Sequence, residues 1–85
     1  MEKEEILERV CEVVSEVLGV NASDITPESR FVEDLGAESI QSVELVAAFE
    51  EEFDIEMDEE SALEVKTVGA AVDFIADVIK QQHGD

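Results

Sequence analysis

The sequence predicts an all-α protein: a small bundle of three main helices plus one short helix, with a long ordered first loop. Three observations predict it. Apolar residues recur with a helical period in three separate stretches. Between the first two of these lies a segment with neither helical nor strand period, rich in turn residues. The composition is 45% apolar with only four Phe, which is that of a folded protein with a mostly aliphatic core. Its 85 residues are enough for one modest core, so a single domain over residues 1–85 is expected.

Residues 3–18 read as the first helix. At 100° per residue, Ile6, Leu7, Val10, Val13, Val14, Val17 and Leu18 fall within one broad arc, while Glu4, Glu5, Glu8, Arg9, Glu12 and Glu16 lie opposite. Gly19 marks the stop. From Gly19 to Glu38 runs a connection of roughly 20 residues, far longer than the usual link between packed helices. Ile25, Phe31, Val32 and Leu35 are spaced along it as apolar anchors, which predicts a loop laid in order over the core.

Residues 39–53 form the second helix, which carries two apolar strips. Leu45, Val46, Phe49 and Phe53 make the core stripe, and Ile40, Val43 and Ala47 make another on a different side, edged by Glu44 and Glu51. A surface helix needs only one. The pattern leaves two readings open: the second strip packs inside against the long loop, or it is an exposed binding surface with an acidic rim. Residues 59–64 read as the short helix, with Ile55, Met57, Leu63 and Val65 turned inward. Thr67 is a suitable N-cap for the last helix, 68–81, whose Val68, Ala71, Val72, Phe74, Ile75, Val78 and Ile79 share an arc. Gln82, His83, Gly84 and Asp85 read as a frayed tail.

Five basic residues against 24 acidic ones give a formal charge of −19. Between Arg30 and Lys66 stand 13 Asp and Glu and no Lys or Arg. Nucleic acid and anionic membrane surfaces are not expected as partners, since both are bound through cations. Basic patches on other proteins are, reached by steering that salt weakens. Crowding like charge into a compact state opposes folding and self-association, so a monomer that gains stability from salt is expected. Cys11 has no partner for an internal disulfide, Met1-Glu-Lys-Glu-Glu is not a signal peptide, and no apolar run reaches membrane-spanning length. A cytoplasmic protein is the expectation.

No catalytic constellation stands out. His83 is the only histidine and lies in the tail, Cys11 sits at the edge of an apolar arc as an inert thiol, and no calcium-loop or Cys/His metal spacing is present. No metal site and no enzyme are therefore expected. What remains is Ser39, at the start of the second helix, with acidic groups around it and no base to activate it. Serine at a helix start is common for capping alone. A helix N-terminus also favours a phosphate, although Glu38 and Asp34 offset that. The residues permit a phosphate-linked modification of Ser39 without selecting it.

Asp34-Leu-Gly-Ala-Glu-Ser-Ile40 resembles the Asp-Leu-Gly-Ala-Asp-Ser-Leu attachment motif of the acyl carrier protein family. The segments 25–29 and 31–35, 43–46, 50–56, and Thr67-Val68 with Ala71–Ile75 resemble other parts of that family in order and spacing, so the resemblance spans nearly the whole chain. It implies a discrete carrier on which Ser39 bears 4′-phosphopantetheine, transferred from coenzyme A by a separate phosphopantetheinyl transferase, with acyl groups held as thioesters on the arm. It implies partners with basic docking patches: an acyl-loading enzyme and a ketoacyl synthase or acyltransferase of fatty-acid, lipid or polyketide-type biosynthesis. The implied contacts are Glu38, Glu44, Glu50, Glu51 and Glu59, with apolar Ile40, Val43, Ala47 and Met57, and this favours the exposed reading of the second strip. A cavity between the helices for the acyl chain is implied as well.

The chain departs from the family pattern at Glu38, Ile40, Gln41, Ala47 and Asp58, where the usual residues are Asp, Leu, an acid, Met and Pro. Glu38 keeps the charge but lengthens its reach, while Gln41 and Ala47 alter the partner surface. These changes point to a specialised paralogue serving a dedicated pathway. From a different class comes the alternative of an acidic interaction module with this fold and no prosthetic group. A nucleic-acid mimic is a third reading.

Overall fold

The computed structural model describes Met1–Gly84. It contains α1 (Lys3–Leu18), a 3₁₀ turn (Ala22–Asp24), α2 (Ser39–Phe53), α3 (Glu59–Leu63) and α4 (Val68–His83), with no strand among the described residues. The all-α fold is what the periodicity predicts. α1 packs against both α2 and α4, and α3 packs on α2. The core is aliphatic at its centre: Ile6, Val10, Val14, Val68 and Ile75 are fully buried, with Phe49 and Phe53 of α2 closing it. Losing one such side chain, as in Ile75→Ala, would cost about 2–5 kcal/mol.

The helix ends are set by local chemistry. The Thr67 hydroxyl accepts a hydrogen bond from the Ala70 N–H at 3.2 Å and starts α4. Asp58 starts α3, accepting from the Ser61 hydroxyl at 2.7 Å and the Ser61 N–H at 3.2 Å. The hydroxyl contact, and then the backbone one, hold the Asp58 carboxyl below its ordinary range. α2 ends on Asp54 in the left-handed conformation, φ 54°.

The first loop is ordered by its backbone. The Phe31 N–H donates to the Lys66 carbonyl at 3.0 Å, Val68 N–H to Ser29 at 3.0 Å, and Gly69 N–H to Pro27 at 2.8 Å, stitching the loop to the start of α4. Gly69 fits closely there: a Cβ at this position would stand 3.0 Å from the Pro27 carbonyl oxygen, so the loop would have to give way for a larger residue. Ile25 and Phe31 are buried anchors, and Leu35 is half-buried. Val32 is not an anchor; it is 60% exposed, and the buried residue of this stretch is Ala37. The turn at Arg30–Leu35 points Val32 outward and Phe31 inward, a choice the one-dimensional pattern does not contain.

Three further expectations are corrected. Leu63, read as inward, is 37% exposed at the rim of a cavity, because α3 is only one turn long and covers α2 from one side. Arg9, read as solvent-facing, reaches across to α2: its Nε bonds the Glu52 carboxylate at 2.7 Å, and its guanidinium lies 4.8 Å from the centre of the Phe53 ring. The tail is not frayed up to residue 83. α4 continues through His83, because Gln82 accepts from the Glu56 N–H at 2.8 Å and donates to the Glu56 carbonyl at 2.7 Å. His83 lies 2.8 Å from the Asp54 carbonyl. Asp85 is outside the described residues. Cys11 is half-buried, and desolvation pushes its thiol pKa up, which makes it a poor nucleophile.

Candidate functional site

The approach to Ser39 is a closed turn. The Asp34 carboxylate accepts from the Arg30 N–H at 2.8 Å and from Arg30 Nε at 3.3 Å, while the Arg30 guanidinium also pairs with Glu33. The backbone contact first, and the side-chain contact second, hold the Asp34 carboxyl below its usual range. The Asp34 and Leu35 N–H groups both donate to the Arg30 carbonyl at 3.0 Å. Gly36 then takes φ 71°, a left-handed conformation that glycine enters without strain, and this turns the chain so that the Ala37 N–H meets the Phe31 carbonyl at 2.8 Å. Ala37, 5% exposed, plugs into the core immediately before the helix.

Glu38 is the N-cap of α2, and its N–H donates to the side-chain oxygen of Gln41 at 3.0 Å. Ser39 is therefore the first helical residue and not the cap. It is exposed, and its hydroxyl makes no hydrogen bond among the described residues. The capping role weighed from the sequence belongs to Glu38 and Gln41. Gln41, read as a change on the partner surface, is half-buried and turned back to close the helix start.

Beside Ser39 opens a cavity of about 430 Å³, of the size that takes small ligands. α2 contributes Ser39, Ser42, Leu45, Val46 and Phe49 to its wall. Across from them stand Met57, Ala62 and Leu63, with Val65 and Lys66 beyond α3 and Arg30–Glu33 from the first loop. The sequence could not locate this space, because it lies between elements that are distant along the chain. Among the described residues no group of three or more His, Cys, Asp or Glu is placed to hold a metal, and no helix is long and apolar enough to cross a membrane.

The second apolar strip lies outside. Ile40 is 70% and Val43 43% exposed, and Ala47 is exposed too, with exposed Glu44 and Glu51 along the same face. At 100° per residue these five positions fall within one arc, opposite the buried Leu45, Phe49 and Phe53. Glu38 and Glu59 are exposed nearby in sequence, one at each helix start. Two of the anticipated contacts sit differently. Glu50 is half-buried and accepts from the Met57 N–H at 3.0 Å, and Met57 is half-buried in the cavity wall.

A helical bundle that offers an unpartnered serine at a helix start, next to an apolar cavity and an acid-rimmed apolar strip, has the form of a carrier domain. The family model described as a phosphopantetheine attachment site matches residues 8–75. The chain is also 52% identical over 75 residues to an acyl carrier protein of Prochlorococcus marinus (strain MIT 9515), covering 88% of this chain and 94% of that relative. The chain belongs to the acyl carrier protein family, and its cofactor is 4′-phosphopantetheine.

Proposed function

We propose that this chain, as one carrier domain over residues 1–85, carries acyl groups as thioesters on a 4′-phosphopantetheine arm attached to Ser39. The observation that carries the reading is the Ser39 hydroxyl: exposed, without a hydrogen-bond partner among the described residues, at the start of α2 and on the wall of the cavity. The arm supplies a thiol for the thioester. The protein's own residues do the rest. The start of α2 directs backbone N–H groups toward a phosphate at Ser39. The Asp34–Arg30 turn and Ala37 hold the serine at a fixed place, and the cavity shields an acyl group from water. Nothing in this set acts as a general base, so the arm and the acyl group are transferred by other enzymes.

Those partners dock on the outer face of α2. Ile40, Val43 and Ala47 form the apolar centre of that contact, and Glu38, Glu44, Glu51 and Glu59 meet a basic patch on the transferase, the loading enzyme and a ketoacyl synthase or acyltransferase. Glu50 and Met57 act indirectly, by shaping the segment before α3. The small Ala47 and the Glu38–Gln41 pairing at the helix start fit a specialised paralogue with dedicated partners in fatty-acid, lipid or polyketide-type biosynthesis. A monomeric, cytoplasmic protein fits the charge of −19 and the single cysteine.

The test is intact-protein mass spectrometry after incubation with coenzyme A and a broad-specificity phosphopantetheinyl transferase, with Ser39→Ala as control. The wild type gains one phosphopantetheine and the variant gains none. A gain on both proteins would place the attachment elsewhere. No gain with several transferases would favour an interaction module of the same fold without the arm.

A further inference from the structure

Five large apolar side chains are exposed among the described residues: Met1, Val32, Ile40, Val43 and Leu63. Singly, such residues are ordinary on a protein surface. Here four of the five gather around one residue. Val32, Ser39 and Leu63 are each exposed and each line the cavity, so all three stand where it opens. Ile40 directly follows Ser39, and Val43 lies one turn further along α2. Ser39 is thus ringed by apolar groups from three elements: the first loop, α2 and α3.

Burial does not explain this placement. In α3 the small Ala62 faces the core, and the larger Leu63 beside it is left outside. In the approach to α2, Ala37 is buried and Val32 is not. Each leaves in water an apolar area that the reverse placement would have removed. Charge does not explain it either. Of the charged residues that line the opening, Arg30 and Glu33 are paired with each other, and the exposed acids of the outer α2 face begin beyond the ring, at Glu44. Which enzyme covers the ring follows from where Ser39 stands. One that works at the thiol end of the arm meets the arm at a distance. The one that attaches the arm cannot, because the new bond forms at the Ser39 oxygen itself. That oxygen bonds the pantetheine phosphorus of coenzyme A, the phosphoanhydride breaks and the nucleotide half leaves, while the serine proton passes to a base of the enzyme. Its active site must close over Ser39, and with it over the ring.

We propose that Val32 and Leu63 are contacts for the phosphopantetheinyl transferase, which seats an apolar lip of its active-site entrance on them and extends its basic patch toward Glu44 and Glu51. This rests on the reading of Ser39 as the attachment residue, and it deepens that reading by carrying the transferase surface from α2 across to the first loop and α3. The acids steer the encounter, and the ring supplies contact that salt does not screen.

The experiment compares wild type, Val32→Gln, Leu63→Gln and Leu63→Met as substrates of a broad-specificity phosphopantetheinyl transferase with coenzyme A. Each Gln variant raises KM roughly threefold to fivefold and leaves kcat within about twofold, since a contact at the edge of the docking surface adds binding and takes no part in the chemical step. Leu63→Met, which keeps an apolar side chain, keeps the wild-type KM. The loss persists in about 0.5 M salt, where the effect of Glu44→Lys shrinks. Circular dichroism checks that each variant is folded. In parallel, isotope-labelled Ser39→Ala, which cannot be modified at this position, is titrated with transferase and coenzyme A, and the amide signals of Val32 and Leu63 move.

An unchanged KM in both Gln variants overturns the proposal, as does a rise that Leu63→Met shares. If the Val32 and Leu63 signals move on raising the carrier concentration alone, a second copy of the chain covers the ring and the proposal fails. It fails too if both Gln variants load normally but, once loaded, are poorer substrates for an acyl-transfer enzyme, because the ring then serves an enzyme acting on the arm. A wild type that takes no arm overturns the Ser39 reading and this one with it, whereas normal loading of wild type and both Gln variants overturns this one alone.

Discussion

The Asp34 carboxylate closes on the Arg30 N–H at 2.8 Å, and this contact sets the turn that delivers Ser39 to the start of α2. An acid in the attachment motif thus acts first on its own backbone. Its folded pKa is lowered from the ordinary 3.8 by the Arg30 hydrogen bonds. The stability it contributes is therefore fully present above that ordinary value and is lost as pH falls through the lower folded value. Asp34→Asn should be less stable than wild type at pH 7, and the gap should close below about pH 4. Thermal unfolding followed between about pH 2 and 7 checks this. Parallel curves for the two proteins would show that the carboxylate contributes nothing through its charge.

Ile40 makes the second prediction, because it is 70% exposed and has no part in the core. Ile40→Gln should leave stability within about 0.5 kcal/mol of wild type. It should nevertheless lower kcat/KM of a phosphopantetheinyl transferase for this carrier about tenfold, since an apolar residue at the centre of an acid-rimmed contact is where binding energy concentrates. Glu44→Lys should act differently, slowing association and flattening its salt dependence. Steady-state kinetics with the carrier as substrate, at two salt concentrations, separate the two effects. An Ile40→Gln variant loaded as fast as wild type would remove the apolar strip from the docking surface.

Much of this was legible in the sequence, and what was not has physical causes. The main helices announce themselves because α1 and α4 repeat aliphatic residues at helical spacing against acids on the other side, and burial follows that repeat. The second strip on α2 was visible for the same reason, but whether it is covered depends on where the first loop runs, which no period encodes. Val32 and Ala37 illustrate this limit: a large apolar residue stays outside and a small one goes in, because turn geometry decides. Arg9 could not be placed, since its partners Glu52 and Phe53 are far along the chain and an Arg face looks the same whether solvated or clasped. The cavity needed the assembled helices, because its wall residues Arg30 and Lys66 come together only through the backbone bridge between the loop and the start of α4.

Gly69 yields a prediction of sign. In the first turn of α4, replacing Gly by Ala would ordinarily gain about 1 kcal/mol of helix propensity. Here the added Cβ would stand 3.0 Å from the Pro27 carbonyl oxygen, the same oxygen that accepts from the Gly69 N–H at 2.8 Å. Making room means lengthening that hydrogen bond. Gly69→Ala should therefore fail to stabilise the protein, and amide exchange at residues 26–29 should quicken. A variant that melts higher than wild type with unchanged loop exchange would show that the loop gives way without loss.

The end of α4 makes the last prediction, and it reaches the cavity. Gln82 grips Glu56 through both the backbone N–H and the carbonyl, at 2.8 and 2.7 Å. The neighbouring Met57 is held from the other side by Glu50 and forms part of the cavity wall. Each of the two Gln82 bonds contributes roughly 0.5–1.5 kcal/mol, reduced by their exposure. Gln82→Ala should lower stability by about 1 kcal/mol, with faster exchange at Glu56 and Met57 and little change in α1. Because the loosened segment leads into α3, thioesters on the loaded variant should also be cleaved faster by hydroxylamine than on wild type. Hydrogen exchange and the cleavage assay together test the link: loss of stability with unchanged shielding would confine Gln82 to holding the helix end.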